Sequence, residues 1–395
     1  MRTRTELGCV IEIIEAGGHL QIKPGQDEAF RGHIPALDGV RGVAAATVFV
    51  YHYGGGAQSS FLPLRTIGNA LHFGWAGVSL FFVLSGFLIS GILWDGYRKP
   101  GWWRRFYVRR SLRIFPLYYL ALVVAAAIWL ALGVPAVRLS FLWIYALYLQ
   151  DAPFFNALMG NPPAGVEMVH FWSLAVEEQF YLAWPFLLAL FAGKRRRAIQ
   201  LVVALWLMSL LFRVGMLGVN GEGWSSYFLF GRAGELLAGA YLAMAVRGDS
   251  CERQRLFRSL PYILGCSLLF LVLIGFASPR LEISTSWWST AGLAVLSIFF
   301  ASVIGLALRP GVLQSFFQAG VLRWLGKISY GIYVYHLLLH PGFLWLVQRT
   351  APNLGGNARA GLIFVVALAG TLGVASLSFY TYERAFLRWK ERIGH

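Results

Sequence analysis

Apolar residues fill ten segments of the chain, each about as long as a helix that crosses a lipid bilayer, and polar residues separate them. About 20 helical residues cross the roughly 30 Å of hydrocarbon in a membrane. The pattern predicts spans at 34–53, 74–94, 111–133, 168–192, 198–219, 226–246, 259–276, 287–307, 324–346 and 360–382. We therefore predict an all-α polytopic membrane protein with about ten transmembrane helices.

The segments between and beside these spans complete the predicted domain organisation. Residues 140–167 do not fit an ordinary span, because their aromatic run is short and Pro153, Pro162 and Pro163 interrupt the residues after it. We predict an outer-face loop with an interfacial or re-entrant piece there. The polar residues 1–33 predict a cytoplasmic tail, 34–384 a single transmembrane domain, and 385–395 a second cytoplasmic tail.

The distribution of charge fixes the predicted orientation. Of the 34 Lys and Arg residues, 27 lie in the tails and loops that a ten-span pattern places inside, which leaves seven elsewhere. Basic residues concentrate in cytoplasmic loops, so we predict that both ends of the chain are cytoplasmic. The net charge of +16 is thus a topology signal, not one for nucleic acid. The chain has 13% charged residues, against about 25% in soluble domains, which argues against a soluble globular protein.

The first span carries two polar residues on one face. A step of eleven residues at about 100° each returns His52 to within about 20° of Arg41, roughly 16 Å farther along the axis. A charged side chain inside a membrane is expensive and points to a partner, a water-filled cavity or a function. Two alternatives remain at this stage: Arg41 pairs with Asp38, or His52 is an outer-interface residue bonded to a neighbour.

A second polar group opens the fourth span from its outer end. His170 and Glu177 are two turns apart and so share a face if both are helical. Glu177 and Glu178 are adjacent carboxylates that enter an apolar helix, which packing alone does not explain. A structural alternative remains for Glu178, as a helix cap or a contact with solvent.

Two further groups have strong structural alternatives. Ser329, Tyr333, His336 and His340 form a polar stripe on the ninth span, and such a stripe also forms through hydrogen bonding between membrane helices. Arg232 lies three residues before Glu235, where the two side chains can pair on one helix.

A basic stripe precedes the third span on the predicted cytoplasmic side. Arg105, Arg109 and Arg113 repeat every four residues, with Arg110 alongside. Topology requires positive charge but no particular spacing, so we favour phosphate binding. The three cysteines share no zinc-ligand spacing, and we predict no metal site.

With these residues assigned, the chain resembles the membrane-bound acyltransferase 3 family, a bacterial group that acylates surface carbohydrates, lipid-linked sugars and some small molecules. The resemblance extends from about Pro35 to the last predicted span. It rests on five motifs in order: Leu37 to Gly42 with Arg41 and His52, Phe81 to Phe87, Arg109 to Pro116, Trp172 to Glu177, and Ile328 to Tyr333 with His336. Val78-Ser79-Leu80 departs from the common pattern, in which an acidic residue often precedes the aromatic pair.

This resemblance implies an O-acetyltransferase of the bacterial cytoplasmic membrane that uses acyl-CoA, usually acetyl-CoA, and acylates a hydroxyl of a carbohydrate or lipid-linked sugar. It gives roles to the residues found above. Arg105, Arg109, Arg110 and Arg113 would hold the nucleotide and pyrophosphate, and Arg41 a donor phosphate or the thioester. His52 would be the general base or an acyl-carrying nucleophile, oriented by Glu177.

Five more residues are candidates for contact with the substrate or the developing oxyanion. These are Ser173, Tyr333, His336, Glu178 and Arg232. Two other functions fit the same polar residues: a polytopic transporter, or a non-catalytic subunit of a polysaccharide export system. Inverted repeats or broken spans in matched halves would favour the transporter, and the sequence shows neither.

Overall fold

A computed structural model describes residues 32–54, 71–159, 168–217, 224–278 and 281–392. Most of the predicted tail 1–33 and residues 160–167 of the predicted outer loop lie outside these ranges. The described residues form helices and contain no strand. The first nine helices are α1 Pro35–Gly54, α2 Ala76–Gly96, α3 Trp102–Ala131, α4 Ala136–Ser140, α5 Leu142–Ala146, α6 Pro153–Met159, α7 Trp172–Ala189, α8 Arg195–Met216 and α9 Leu229–Ala245.

The C-terminal part of the chain continues in the same way. Its helices are α10 Ser250–Ala277, α11 Leu293–Ala307, α12 Val312–Phe317, α13 Gly320–Lys327, α14 Ser329–Leu338, α15 His340–Thr350, α16 Gly356–Ser378 and α17 Arg384–Arg392. The predicted cytoplasmic tail from residue 385 therefore contains most of α17. Single turns of π-helix at Trp288–Gly292 and Phe379–Glu383 precede α11 and α17.

Every predicted span coincides with helix. Six described segments are long and apolar enough to cross a membrane: Phe73–Gly96, Trp102–Ala131, Arg195–Met216, Ser250–Ala277, Trp288–Ala307 and Gly356–Trp389. The chain is thus an integral membrane protein. The other four predicted spans coincide with α1, α7, α9 and the interrupted run α13 to α15. The count of ten and the cytoplasmic position of the ends stay predictions.

The helix ends that the sequence places on one side of the membrane are joined in pairs. Arg247 follows α9 and holds Asp95, near the end of α2, through Nε–Oδ1 and Nη2–Oδ2 contacts of 2.9 and 2.7 Å. At the opposite end of the bundle, Tyr53 donates to the carbonyl of His336 at 2.5 Å. The starts of α2 and α9 also lie together, since Arg232 donates to Ser79 Oγ at 3.2 Å, so these two neighbouring helices run in the same direction.

The helices α2 and α9 lie unusually close because each has a glycine at the crossing. A Cβ on Gly86 would lie 1.8 Å from the Leu236 carbonyl oxygen, and one on Gly239 would lie 1.9 Å from that of Val83. Small residues allow such backbone contact between membrane helices. This contact fixes α2, and with it Ser85, against the rest of the bundle.

The predicted outer loop contains the short helices α5 and α6 and begins at the last residue of α4, and none of the three helices is long enough to span a bilayer. Two hydrogen bonds hold the segment against the bundle. Tyr118 donates to the Tyr145 carbonyl at 2.7 Å, and Gln150 Nε2 donates to the Phe171 carbonyl at 2.8 Å. The second bond places the segment beside the start of α7.

Candidate active site

One cavity collects polar side chains from α1, α2, α3, α7 and α14. Its volume is about 90 Å³, small beside the roughly 300–1,000 Å³ of pockets that enclose whole ligands. Its charged lining residues are Arg41, Arg110, Arg113, Glu177 and Glu178. Its hydroxyl groups come from Ser85, Ser173, Tyr181, Ser329, Tyr330 and Tyr333. Each charged group enters from a helix that the apolar pattern predicts to cross the membrane.

Three guanidinium groups converge on this cavity. Arg41 Nη1 lies 3.2 Å from Asp38 Oδ1, so the pairing considered from the sequence is present. Arg110 lies over the ring of Tyr181, 4.4 Å from its centroid. Within the described ranges, neither Arg110 nor Arg113 has a salt-bridge partner. Positive charges held together in a low-dielectric wall attract an anion, so this group is suited to bind phosphate.

The two carboxylates of α7 face the same cavity. Glu177 accepts a hydrogen bond from Ser85 Oγ at 2.6 Å, and Glu178 Oε1 is buried with no hydrogen-bond partner in the described chain. This hydrogen bond to Glu177 thus comes from Ser85 and not from His52, and the orientation of His52 by Glu177 stays a prediction. The spacing of residues along one helix did not show that α2, through Ser85, is the neighbour of Glu177.

His52 belongs instead to a cluster of three histidines. The ring of His336, which is 1% exposed, has its centroid 4.9 Å from that of His52 and 4.9 Å from that of His170. His336 Nε2 lies 3.3 Å from His52 Nδ1. His170 belongs to a 3₁₀ turn that precedes α7, which is why it does not share the helix face of Glu177.

The carbonyl groups around this cluster assign the tautomers of the neutral rings. His336 Nδ1 lies 2.7 Å from the Tyr333 carbonyl and His52 Nδ1 lies 2.9 Å from that of Val48. A carbonyl only accepts, so both Nδ1 atoms carry the proton. His336 Nε2 is then free to accept from His52 Nδ1. The unprotonated nitrogen of His52 is Nε2, as a general base requires.

Tyr333 connects the cavity to the histidines. Tyr333 lines the cavity, and its hydroxyl donates to the His170 carbonyl at 2.7 Å and is hydrogen-bonded to Ser173. Its ring centroid lies 5.7 Å from that of His336. Polar groups thus follow one another from the arginines through Ser173 and Tyr333 to His52.

The structure separates the remaining predicted residues from this arrangement. Arg105 donates to the Pro100 carbonyl at 2.8 Å, and Arg109 is exposed. Of the four arginines in the predicted phosphate-binding stripe, only Arg110 and Arg113 therefore line the cavity. Arg232 is fully buried in another cluster, with Nη2 3.0 Å from Glu235 Oε1 and 3.2 Å from Ser79 Oγ. The predicted pairing of Arg232 with Glu235 is confirmed.

Sequence reasoning missed several functional neighbours. Ser85 lies within the Phe81 to Phe87 motif, and its only signal was that it is one of three serines, with Ser79 and Ser90, in a largely apolar helix. Tyr181 had no signal apart from its four-residue spacing from Glu177. Tyr330 lines the cavity while its hydroxyl donates to the Ile114 carbonyl at 2.8 Å.

Comparison with known families decides the class to which this arrangement belongs. A family model described as an acyltransferase domain, that of the acyltransferase 3 family, matches residues 34–380. The chain belongs to the acyltransferase 3 family. All the cavity-lining residues and all three clustered histidines lie within the residues that match this family.

Several acyltransferase 3 relatives extend the comparison. The peptidoglycan O-acetyltransferase OatA of Listeria monocytogenes is 28% identical over 384 residues, which cover 89% of this chain and 56% of OatA. YrhL of Bacillus subtilis, named as a candidate peptidoglycan O-acetyltransferase, is 29% identical over 77% of this chain and 48% of its own. A candidate O-acetyltransferase of Staphylococcus aureus is 26% identical over 77% and 50%. The chain spans about half the length of these relatives. No solved structure matches it.

Proposed function

We propose that this chain is a membrane O-acyltransferase that moves an acyl group, with acetyl the first choice, from acyl-CoA to a hydroxyl of a carbohydrate. Family membership and the names of the relatives support the reaction class. The observation that carries the proposal is the continuous series of polar groups from three arginines to the His52–His336 pair. It supplies an anion site at one end and a base at the other.

The donor end is assigned to the arginines. The phosphates of acyl-CoA are anions, and guanidinium groups bind phosphate through paired N–H donors. Arg110 and Arg113, which have no salt-bridge partner in the described chain, would hold them, with Arg41 in the same cavity. Because the cavity measures only about 90 Å³, it must widen to admit even the thioester end of a donor.

The acceptor end is assigned to His52. Its Nε2 lone pair takes the proton of the acceptor hydroxyl as that oxygen bonds to the acyl carbon. The carbon–sulfur bond then breaks, and the same proton passes to the departing thiolate. His336 holds the ring of His52 in the required tautomer, the role predicted from the sequence for Glu177. Ser173 and Tyr333 lie between the two ends and remain candidates for hydrogen bonding to the oxyanion.

The acceptor is the least specified part of the proposal. OatA carries the name of a peptidoglycan O-acetyltransferase, so we place peptidoglycan first among the carbohydrates to be tested, followed by lipid-linked sugars. We place the protein in the bacterial cytoplasmic membrane, where acyl-CoA reaches one face of the bilayer and a surface carbohydrate reaches the other.

The experiment is transfer of labelled acetyl from acetyl-CoA to glycans, measured in membranes that contain the wild-type chain or the His52→Gln variant. The matched control is His72→Gln, because His72 is an exposed histidine outside the three-histidine cluster, and among the described residues its ring lies near that of Tyr51. We expect label with the wild type and the control, and none with His52→Gln at equal protein levels.

Each other outcome has a definite meaning. Equal label in all three proteins would support the acyltransferase activity but reject His52 as the general base. Absence of label with acetyl-CoA and longer acyl-CoA donors, over peptidoglycan and lipid-linked sugars, contradicts the acyltransferase proposal and favours a transporter.

A further inference from the structure

A second space in the bundle lies apart from the candidate active site. It is a groove of about 740 Å³ between α8, α9, α10 and α11, and its volume falls within the range of ligand pockets. Its walls are mostly aliphatic and aromatic, with Val202, Trp206, Leu237 and Ile263 among the lining residues. None of its lining residues also lines the arginine cavity.

The groove opens to the outside of the bundle. Tyr241 and Val203 line it and are each 41% exposed, although the helices that carry them are apolar and belong to the membrane domain. The hydroxyl groups of Ser259 and Ser302 also line it, but they donate to carbonyl groups of their own helices at 2.8 and 2.9 Å. The interior of the groove therefore suits hydrocarbon.

One end of the groove is charged. Arg195 begins α8 and is paired with Glu252, in the first turn of α10. Arg255 lines the same end, is exposed, and has no salt bridge in the described chain. Arg195, Glu252 and Arg255 together give this end of the groove, its mouth, a net positive charge. Both helices begin here, and the N-terminus of a helix carries positive partial charge.

The geometry points to a binding site for one anionic glycerophospholipid, with its phosphate at Arg255 and its acyl chains in the groove. An apolar slot that opens sideways to the bilayer admits hydrocarbon chains, whereas a soluble ligand has no path through lipid. Basic pockets between membrane helices on the cytoplasmic side bind anionic head groups, and the sequence places this mouth on that side. Charge complementarity at Arg255 selects an anionic lipid over a zwitterionic one.

The test is lipid binding to the full chain in detergent, followed by native mass spectrometry with dioleoyl phosphatidylglycerol or dioleoyl phosphatidylcholine. We expect one phosphatidylglycerol molecule to bind more tightly than phosphatidylcholine. Arg255→Gln should weaken the binding of phosphatidylglycerol by roughly fivefold, the contribution of one basic residue near an anionic lipid surface, and leave phosphatidylcholine unchanged. Arg255→Lys should restore most of the loss.

The matched control is Arg258→Gln, because Arg258 is an exposed arginine of the same helix that does not line the groove. It should bind phosphatidylglycerol as the wild type does. Ala301→Phe fills the groove and should weaken both lipids, and unfolding temperatures will identify any variant that has lost its fold. Equal losses for Arg255→Gln and Arg258→Gln would overturn the proposal in favour of general surface charge. Equal affinity of the wild type for both lipids would overturn it as well.

Discussion

Replacing Arg232 by methionine tests whether the buried polar cluster of α9 serves folding or the reaction. Arg232 and Glu235 are each 0% exposed, with Nη2 and Oε1 3.0 Å apart. The guanidinium group also contacts Ser79 and lies 5.1 and 5.4 Å from the ring centroids of Phe82 and Trp172. The single substitution therefore leaves a carboxylate without its cation in a site that water does not reach.

The magnitude follows from this burial. Breaking a buried ion pair by removing one partner costs about 3–5 kcal/mol, whereas replacing both partners by apolar residues of similar volume is often neutral. We expect Arg232→Met to lower the free energy of unfolding by that amount. The double variant Arg232→Met/Glu235→Leu should recover much of the loss, because it leaves no buried carboxylate without its partner. The buried Arg213 nearby keeps its hydrogen bonds to Ser209 and the Gly231 carbonyl.

The assay is unfolding in mixed micelles of increasing sodium dodecyl sulfate, followed by tryptophan fluorescence, with acetyl transfer measured where each variant is folded. A wild-type unfolding free energy for Arg232→Met would refute the reasoning, as would a double variant no more stable than the single one. A double variant that is stable but no longer transfers acetyl would indicate that Arg232 takes part in the reaction, as the oxyanion contact considered from the sequence.

Two further predictions concern the cavity. Arg113→Gln should raise the KM for acetyl-CoA by about tenfold, since a hydrogen bond to a charged group contributes about 1.5–3 kcal/mol. Arg109→Gln, at an exposed position, should leave this KM unchanged. Equal effects of the two substitutions in steady-state kinetics would contradict the donor assignment. Tyr333→Phe leaves the buried His170 carbonyl without a donor from this residue and should cost about 1–3 kcal/mol of unfolding free energy. Thermal unfolding beside Tyr262→Phe, which alters an exposed ring, checks this, and matching curves would argue against it.

The positions of the helices were accessible from the sequence because each apolar run has the length that a bilayer requires. The points at which helices are interrupted were harder to predict from the sequence. The ninth predicted span divides at Ile328 and Leu339. Only Pro341, at the start of α15 where its missing N–H costs little, gave a local signal. The π turn at Phe379–Glu383 had none.

The site was predicted in its residue types more than in its contacts. Helical periodicity indicated that Arg41 and His52 face inward, and both do contact polar partners there. Helical periodicity did not show that Arg113 lies at the cavity whereas Arg109 is exposed. A four-residue spacing places both on one helix face, but it does not show where along the helix that face stops contacting the bundle. Glu177 contacts Ser85 rather than His52. The sequence did not predict this contact, because contacts between helices depend on how the helices pack and not on the residue spacing within one helix.

The small volume of the arginine cavity also bears on the energetics of the cell membrane. The polar groups from Arg41 to His52 cover much of the predicted thickness of the bilayer. A continuous file of water along them would carry protons and dissipate the gradient that a cytoplasmic membrane maintains. The cavity of only about 90 Å³ has room for few water molecules, and Ser173 is bonded to Tyr333. We therefore expect that the protein does not conduct protons along this route.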